Sequence, residues 1–416
     1  MTKRNFFGLI FILLMLAGSC IRENNAFIPF LPNSILKDGD RMPVASRPYM
    51  EGVYAITKGS NLFGPFAVLK WHGNDFSLFS EVQGCYFVMK AAHLDSVIFM
   101  EGYWRYSSNN KTGLISLRIS KNNGAKDILN KVQGNPMITG AYGEGPSLPS
   151  TEIQMEYVRP FSEKIKTSDF YVMAHRSGGR NSDNLPHSEN SIDMIRYTRN
   201  FGTTGIEIDI RLTKDKVPVI YHDEDLNIRS TTKGPLIGAV EEYTFDQIST
   251  YVRLLHGEKI PTLEEALTFV VDSTELRAVW LDMKDNPNAL KAVIPLQQSA
   301  LARARAANRN VEIWIGLPTD EMINEFLAYP NHENIPALCE LTLEQVRNTN
   351  AKVWSPRWTL GTQVENVELM HSEGRKVFCW TIDDQKFMKQ FITEGNFDGL
   401  LSNYSAMTAY YFYIQE

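Results

Sequence analysis

The chain has 416 residues, 43% hydrophobic and 22% charged, with four cysteines and a formal net charge of −6. Such a composition excludes a disordered polymer, a disulfide-stapled miniprotein and a nucleic-acid binder that relies on bulk positive charge. It is also longer than the about 100–200 residues typical of one domain, so a second domain is expected.

The first element reads as a leader. Lys3-Arg4 precede an apolar run over residues 6–16, too short to cross a bilayer and suited to a signal-peptide core. It ends Leu16-Ala-Gly-Ser-Cys20, which resembles a bacterial lipobox. Residues 1–19 are therefore read as a lipoprotein signal peptide and Cys20 as the lipidated residue, placing the protein in a bacterial cell envelope. The plainer alternative is a secretory signal with a coincidental cysteine. Losing Lys3 and Arg4 takes the charge from −6 to −8, so acyl chains and not a basic patch must provide the anchor.

Residues 20–48 carry Asn, Pro and Gly without periodicity and read as a tether. Residues 49–160 change character: short runs at 52–56, 66–71, 76–79, 85–89, 96–106, 113–119 and 152–157 are rich in Val, Ile, Phe and Tyr. Gly73-Asn-Asp75 and Ser107-Ser-Asn-Asn-Lys-Thr-Gly113 supply turn signals between them. An all-β antiparallel sandwich or small barrel follows, lipocalin-like in outline. It serves as a spacer or binds lipid or glycan, and no motif selects between these. Residues 140–150 and 159–168 read as the junction.

Residues 161–416 alternate strand-like and helical patterns, which predicts an α/β TIM-like (β/α)8 barrel. Nine strand-like runs compete for eight slots, and residues 213–216 are too short for a parallel crossover, so 205–222 is expected to hold a hairpin-like excursion. Four of the runs end in polar groups. Tyr171-Val-Met-Ala-His175-Arg176 and Val217-Pro-Val-Ile-Tyr-His222-Asp223 end in histidines, and Ala278-Val-Trp-Leu-Asp282-Met-Lys284 ends in an acid and a base. In Gly205-Ile-Glu-Ile-Asp-Ile-Arg-Leu212, strand alternation puts Glu207 and Asp209 on one side and three isoleucines on the other. Two adjacent buried acids repel each other, so a cation is expected between them.

The run of motifs from about Tyr171 to Tyr404 resembles the glycerophosphodiester phosphodiesterases, a TIM-barrel family. The resemblance rests on Ala174-His-Arg176, Ser188-Glu-Asn-Ser191, Ile206–Asp215, Val217–Asp223, Arg229-Ser-Thr-Thr232, Ile260-Pro-Thr-Leu-Glu264, Trp280-Leu-Asp-Met-Lys284, Trp380-Thr381 and Asp398-Gly-Leu-Leu401. It implies that His175 and His222 are the acid/base pair and that Glu207, Asp209 and Asp282 bind a metal. It also implies that Arg176 and Lys284 contact phosphate while Glu189 and Trp380 line or brace the pocket. The implied reaction is hydrolysis of a glycerophosphodiester to glycerol 3-phosphate and an alcohol. Another phosphodiester, or a catalytically weak surface binding protein, is the alternative. Three departures stand out. Ser177 replaces the usual glycine, Asp282 a commoner glutamate and Asn403 a frequent aspartate, and the stretch from His175 to Glu189 is a few residues long.

The chemistry agrees. Charge grows on the phosphoryl oxygens at a pentacoordinate transition state, where a divalent cation, Arg176 and Lys284 can offset it. An all-carboxylate ligand set suits Ca²⁺ or Mg²⁺ better than Zn²⁺. One histidine takes a proton from the nucleophile, which for a glycerophosphodiester is the glycerol 2-hydroxyl, and the other gives one to the leaving alcohol; the residues do not say which. Asp282–Lys284 could instead be a structural ion pair and Trp380 a core residue. The remaining histidines lack acidic strand-end company, and Cys85, Cys339 and Cys379 are expected to be buried free thiols.

Overall fold

The computed structural model describes residues 28–284 and 288–416. The leader over residues 1–19, the lipidation reading at Cys20 and the first part of the tether lie outside the described residues.

The N-terminal strands are β1 (Asp40–Arg41), β2 (Gly52–Lys58), β3 (Phe66–His72), β4 (Asp75–Ser80), β5 (Cys85–Leu94), β6 (Val97–Arg105), β7 (Thr112–Ile119), β8 (Met137–Tyr142) and β9 (Thr151–Arg159). From β2 onward each strand pairs with the next, and β9 returns to β2, so eight strands close into an up-and-down antiparallel barrel. β1 pairs with the far end of β5, at Ala92 and His93, beyond the reach of β4. Alternate residues point inward, and Leu69, Leu78, Phe87, Met100, Trp104, Ile115 and Met155 fill the lumen with their neighbours. An eight-stranded barrel can be filled by side chains or hold one small ligand, and here these large buried side chains occupy it.

Two expectations change here. β8 falls partly in residues 140–150, expected to be a junction. It is hidden by Gly140, where a Cβ would sit 2.1 Å from the Ser116 carbonyl oxygen, so close backbone approach demands the one residue with poor strand propensity. The end of the expected tether is also folded: Asp40–Arg41 is a strand and Val44–Tyr49 a 3₁₀ turn, with Met42 and Ser46 buried.

The C-terminal barrel is built from β10 (Tyr171–Ala174), β11 (Gly205–Leu212), then β12 (Pro218–Ile220), β13 (Asp225–Leu226) and β14 (Gly238–Ala239), and finally β15 (Ala278–Met283), β16 (Glu312–Leu317), β17 (Ala337–Cys339), β18 (Val353–Trp354), β19 (Lys376–Cys379) and β20 (Gly399–Ser402). Eight of these run parallel and close where β10 pairs with both β11 and β20. β12 is the ninth run: it lies antiparallel to β11, so the excursion expected over 205–222 is present. Helices follow the strands, and several begin with reciprocal capping, as at Thr262–Glu265 and Thr342–Gln345. Inward residues Met173, Trp280, Trp314, Phe378 and Leu401 fill the barrel, while outward neighbours such as Ile206, Ile208 and Ile315 pack under the helices. Cys85, Cys339 and Cys379 are buried and unbonded.

The last helix, Ser405–Tyr413, is buried from Ser405 through Phe412. A helix apolar all round needs cover on both sides. One side is the parallel barrel; the other is the outer face of the antiparallel barrel, where Val53, Val68, Phe79 and Tyr86 join the same apolar cluster. Burial of each contributes roughly 1.5–3 kcal/mol. The two barrels keep separate interiors and share one apolar interface.

Candidate active site

The polar strand ends converge at the C-terminal mouth of the parallel barrel. Glu207 and Asp209 point inward from β11 and are 1% and 0% exposed. Asp282 sits beside Asp209 in the β11–β15 register. One oxygen from each of Glu207, Asp209 and Asp282 lies within 4.8 Å of the other two. Lys284, two residues further along the same face, places Nζ 2.9 Å from Asp209 Oδ1 and also bonds Asp282.

This arrangement separates the two buried acids. Burial would raise the Asp209 carboxyl, but Lys284, followed by His222, Arg176 and His175, holds it well below the usual range. Burial, Asp209 and Asp282 push the Glu207 carboxyl well above its usual range. Burial likewise opposes charge on Lys284, and Asp209, Asp282 and Glu207 overcome it. Glu207 Oε2 accepts from the Arg176 backbone N–H at 2.7 Å, while Oε1 is buried without a protein partner. An orphaned carboxylate oxygen among three acids fits a hard divalent cation.

His175 lies on the 3₁₀ turn after β10. Its Nδ1 is 2.8 Å from Asn403 Oδ1, and its Nε2 is 3.8 Å from Glu207 Oε2. The Asn403 amide orientation is set from behind, because its Nδ2 donates to Asp383 Oδ2 at 2.6 Å and a carboxylate can only accept. Oδ1 therefore faces the ring, His175 Nδ1 carries the hydrogen, and Nε2 presents its lone pair to the site. Burial, then Arg176, lowers the His175 pKa, keeping the ring neutral. His222, after β12, places Nδ1 2.8 Å from Asp223 Oδ1, which turns Nε2 away from that carboxylate. Asp223 also accepts from Arg229 and Asn227, and His222 and Arg229 hold its carboxyl well below the usual range against the effect of burial.

The predicted phosphate and bracing residues are gathered at the same mouth. Arg176 donates from Nη1 to Glu189 Oε1 at 3.0 Å, and its Nε is buried without a partner. Glu189 is 3% exposed and also accepts from Arg229 and the Asn181 backbone, so it braces Arg176. Trp380 follows β19, separated from β10 by β20 alone; its ring meets Trp280 edge-on at 6.4 Å, Arg357 lies 5.0 Å over it, and Nε1 donates to the Ser355 carbonyl. Cys379 packs outward against the helices, as strand alternation requires. Arg176 and Ser177 adopt left-handed backbone, φ +50° and +66°, a region that favours glycine.

Four contributors carried no role in the sequence reading. Asn190 clamps Asp209, donating to Oδ2 at 2.6 Å and accepting from its backbone N–H. Asp383 and Asn403 orient His175. Glu340, after β17, has a buried Oε1 with no partner; burial, then Asp282, raises its carboxyl to about 8, while Lys284 and Arg357 oppose the rise. A lone acid after an apolar run was its only signal. A second group of possible ligands, His187, Asp193 and Glu258, is half-buried. Both Glu258 oxygens accept from Ser188 and Asp193 pairs with Arg196, so protein donors already serve it.

The glycerophosphoryl diester phosphodiesterase family model matches residues 175–407. The chain is 26% identical over 241 residues to a glycerophosphodiester phosphodiesterase of Caldanaerobacter subterraneus, covering 56% of this chain and 93% of that one. It is 37% identical over 148 residues to human glycerophosphodiester phosphodiesterase 1, covering 34% of this chain and 41% of the human protein. Among solved structures, a glycerophosphodiester phosphodiesterase from Parabacteroides distasonis aligns with a TM-score of 0.47 at 21% identity, over 59% of this chain and 97% of that one. With more than half of its length matched by the family model, the chain belongs to the glycerophosphoryl diester phosphodiesterase family, whose members are phosphoric diester hydrolases.

Proposed function

We propose that the protein hydrolyses glycerophosphodiesters to glycerol 3-phosphate and an alcohol by histidine acid/base catalysis at a site holding Ca²⁺ or Mg²⁺. The observation that carries this reading is a pair of histidines whose Nδ1 atoms are both engaged by side-chain oxygens, beside three converging acids: His175 Nε2 is 3.8 Å from Glu207, and His222 is close enough to lower Asp209. Glu207, Asp209 and Asp282 would hold the cation, with Glu340 close enough to feel Asp282. When bound, the cation supplies Lewis-acid stabilisation of negative charge on the phosphoryl oxygens.

The remaining steps belong to the chain's own residues. His175, neutral with a free Nε2 lone pair, takes the proton from the attacking hydroxyl. His222, close enough to Asp209 to lower its carboxyl, gives a proton to the departing alcohol. If the glycerol 2-hydroxyl attacks, a cyclic phosphate forms and the roles reverse for its hydrolysis. Arg176, pre-set by Glu189, and Lys284 bind phosphoryl oxygens. Arg176 has a spare buried donor for this purpose, and Lys284 already sits among the acids.

The test is glycerol 3-phosphate release from glycerophosphocholine, glycerophosphoethanolamine and glycerophosphoglycerol, with Ca²⁺, Mg²⁺ or a chelator, beside His175→Ala and His222→Ala. Release that needs cation and both histidines supports the reading. Cation binding without release from any of the three points to another phosphodiester. We also read Cys20 as a lipid attachment site in a bacterial envelope; incorporation of a labelled fatty acid that survives Cys20→Ser would sink that assignment.

A further inference from the structure

We propose that the N-terminal barrel is a positioning element of the active site, acting through Arg105 on the turn at residues 180–184. The inference rests on the phosphodiesterase reading for its catalytic readout. Strand alternation puts Trp104 inside the antiparallel barrel and its neighbours Tyr103 and Arg105 outside. Arg105 reaches the segment that links the two arms of the active site, and Tyr103 reaches the helix that follows it, Ile192–Tyr197. Tyr103 shares a hydroxyl–hydroxyl bond with Tyr197. Arg105, 3% exposed, directs Nη2 to the carbonyl oxygens of Asp183 and Asn184 at 2.9 and 2.8 Å.

Those carbonyls converge because Asn181–Asp183 is a 3₁₀ turn ended by Asn184 in left-handed conformation, φ +49°. The end of such a turn leaves carbonyls without backbone partners, and a guanidinium satisfies two at once. The stretch from His175 to Glu189 is longer than the family resemblance leads one to expect, and this turn, which docks on the additional domain, lies within it.

From the turn, two chains of contact lead inward. On one side Asn181 and Glu189 exchange hydrogen bonds, Asn181 N–H to Glu189 Oε2 at 2.7 Å and Glu189 N–H to Asn181 Oδ1 at 2.9 Å. Glu189 in turn holds Arg176. On the other side Asp183 grips Arg180 through Nε and Nη2, both at 3.1 Å. Arg180 then faces Tyr404, whose hydroxyl accepts at 3.1 Å, and Asp383 at 3.9 Å. Asp383 holds Asn403, and Asn403 holds His175. Arg105 touches neither substrate nor reacting atoms; it is a positioning residue. The packed lumen of its barrel fits this bracing role.

The experiment uses the full chain with Arg105→Met, which keeps length and removes the donors, and Arg105→Lys, which keeps the charge. Steady-state hydrolysis of glycerophosphoethanolamine is measured beside amide hydrogen exchange. The expected result for Arg105→Met is a fall in kcat of about tenfold or more with KM changed less than about threefold, since misplacing catalytic groups costs rate more than binding. Faster exchange should appear at residues 181–190 and at the Asn403 amide, which donates to Asp383 Oδ1. Arg105→Lys should recover part of both. Unchanged exchange at Asn190 and Asn403 overturns the proposal, as does an unchanged kcat in an active enzyme. If wild type does not turn over glycerophosphoethanolamine, that substrate is excluded from the proposed function, while the exchange arm still decides whether Arg105 holds the two arms. Exchange that rises uniformly through both barrels reveals a general loss of stability and also overturns it.

Discussion

Asn403 donates to Asp383 at 2.6 Å, and that bond determines which nitrogen of His175 is protonated. Position 403 is an amide, and the carboxylate behind it is that of Asp383, from the loop after β19. Asp383 also accepts from Ser402 Oγ and the Asn403 backbone, so its lone pairs are spoken for. Replacing it by Asn removes the reason for the Asn403 amide to face one way. Asp383→Asn is expected to lower kcat on the order of 10²-fold, a typical share for a positioned general base, with KM little changed. Asn403→Asp in the same background restores an acceptor at Nδ1 and should recover activity. A double variant no better than the single would refute the tautomer account.

Much of this site was legible because strand parity is strict. Glu207 and Asp209 interrupt an isoleucine alternation, and His175, His222 and Asp282 each end an apolar run, so their convergence follows once the runs are parallel strands of one barrel. The link from Asp383 to Asn403 was not legible, since it joins loops after different strands and neither residue interrupts an apolar pattern. Glu340 was hidden for a different reason: its charge state depends on burial beside Asp282, which one acid after Cys339 does not announce. In the N-terminal barrel Gly140 concealed β8, because the close packing that requires glycine also removes the strand signature.

Glu340 gives the metal-free protein a pH dependence. Its folded carboxyl is raised to about 8 by burial and Asp282. A raised carboxyl contributes stability that is fully present below its unfolded pKa of about 4.3 and is lost as pH rises through the folded value. Wild type in chelator is therefore expected to be less stable at pH 9 than at pH 6. Glu340→Gln, which stays neutral, should flatten that decline. Urea midpoints at the two pH values provide the check, and equal declines in both proteins would rule Glu340 out as the cause.

Ser177 offers a test of backbone strain. Its φ of +66° lies in the left-handed region, and its hydroxyl is buried without a hydrogen-bond partner. Left-handed backbone costs a non-glycine residue roughly 1–2 kcal/mol, against the roughly 0.5–1 kcal/mol that glycine loses in chain entropy. Removing an unsatisfied buried hydroxyl adds to the gain. Ser177→Gly is expected to stabilise the protein by about 1 kcal/mol, read as a higher urea midpoint at unchanged slope. A lower midpoint would mean that the Ser177 hydroxyl makes a bond that offsets the strain.

Glu207 sets stability against function. In the metal-free protein burial, then Asp209 and Asp282, raise its carboxyl, so its stabilising contribution is present at low pH and lost as pH rises through the folded value. Near neutrality it is the member of the pair that Lys284 does not neutralise directly, because Lys284 contacts Asp209 and Asp282. Glu207→Gln keeps an acceptor for the Arg176 N–H while removing the charge. In chelator the variant should therefore melt above wild type. Added Ca²⁺ or Mg²⁺ at a hundredfold its Kd should stabilise wild type by about 2.7 kcal/mol and the variant much less. The same variant should lose at least about 10²-fold in cation-dependent kcat, since one ligand and its charge are gone. Equal stabilisation of both proteins by the cation would remove Glu207 from the ligand set and leave the ion to Asp209, Asp282 and Glu340. A variant that melts below wild type in chelator would show that Glu207 is stabilising even when metal-free, its repulsion by Asp209 and Asp282 outweighed by the Arg176 hydrogen bond and the nearby Lys284 charge.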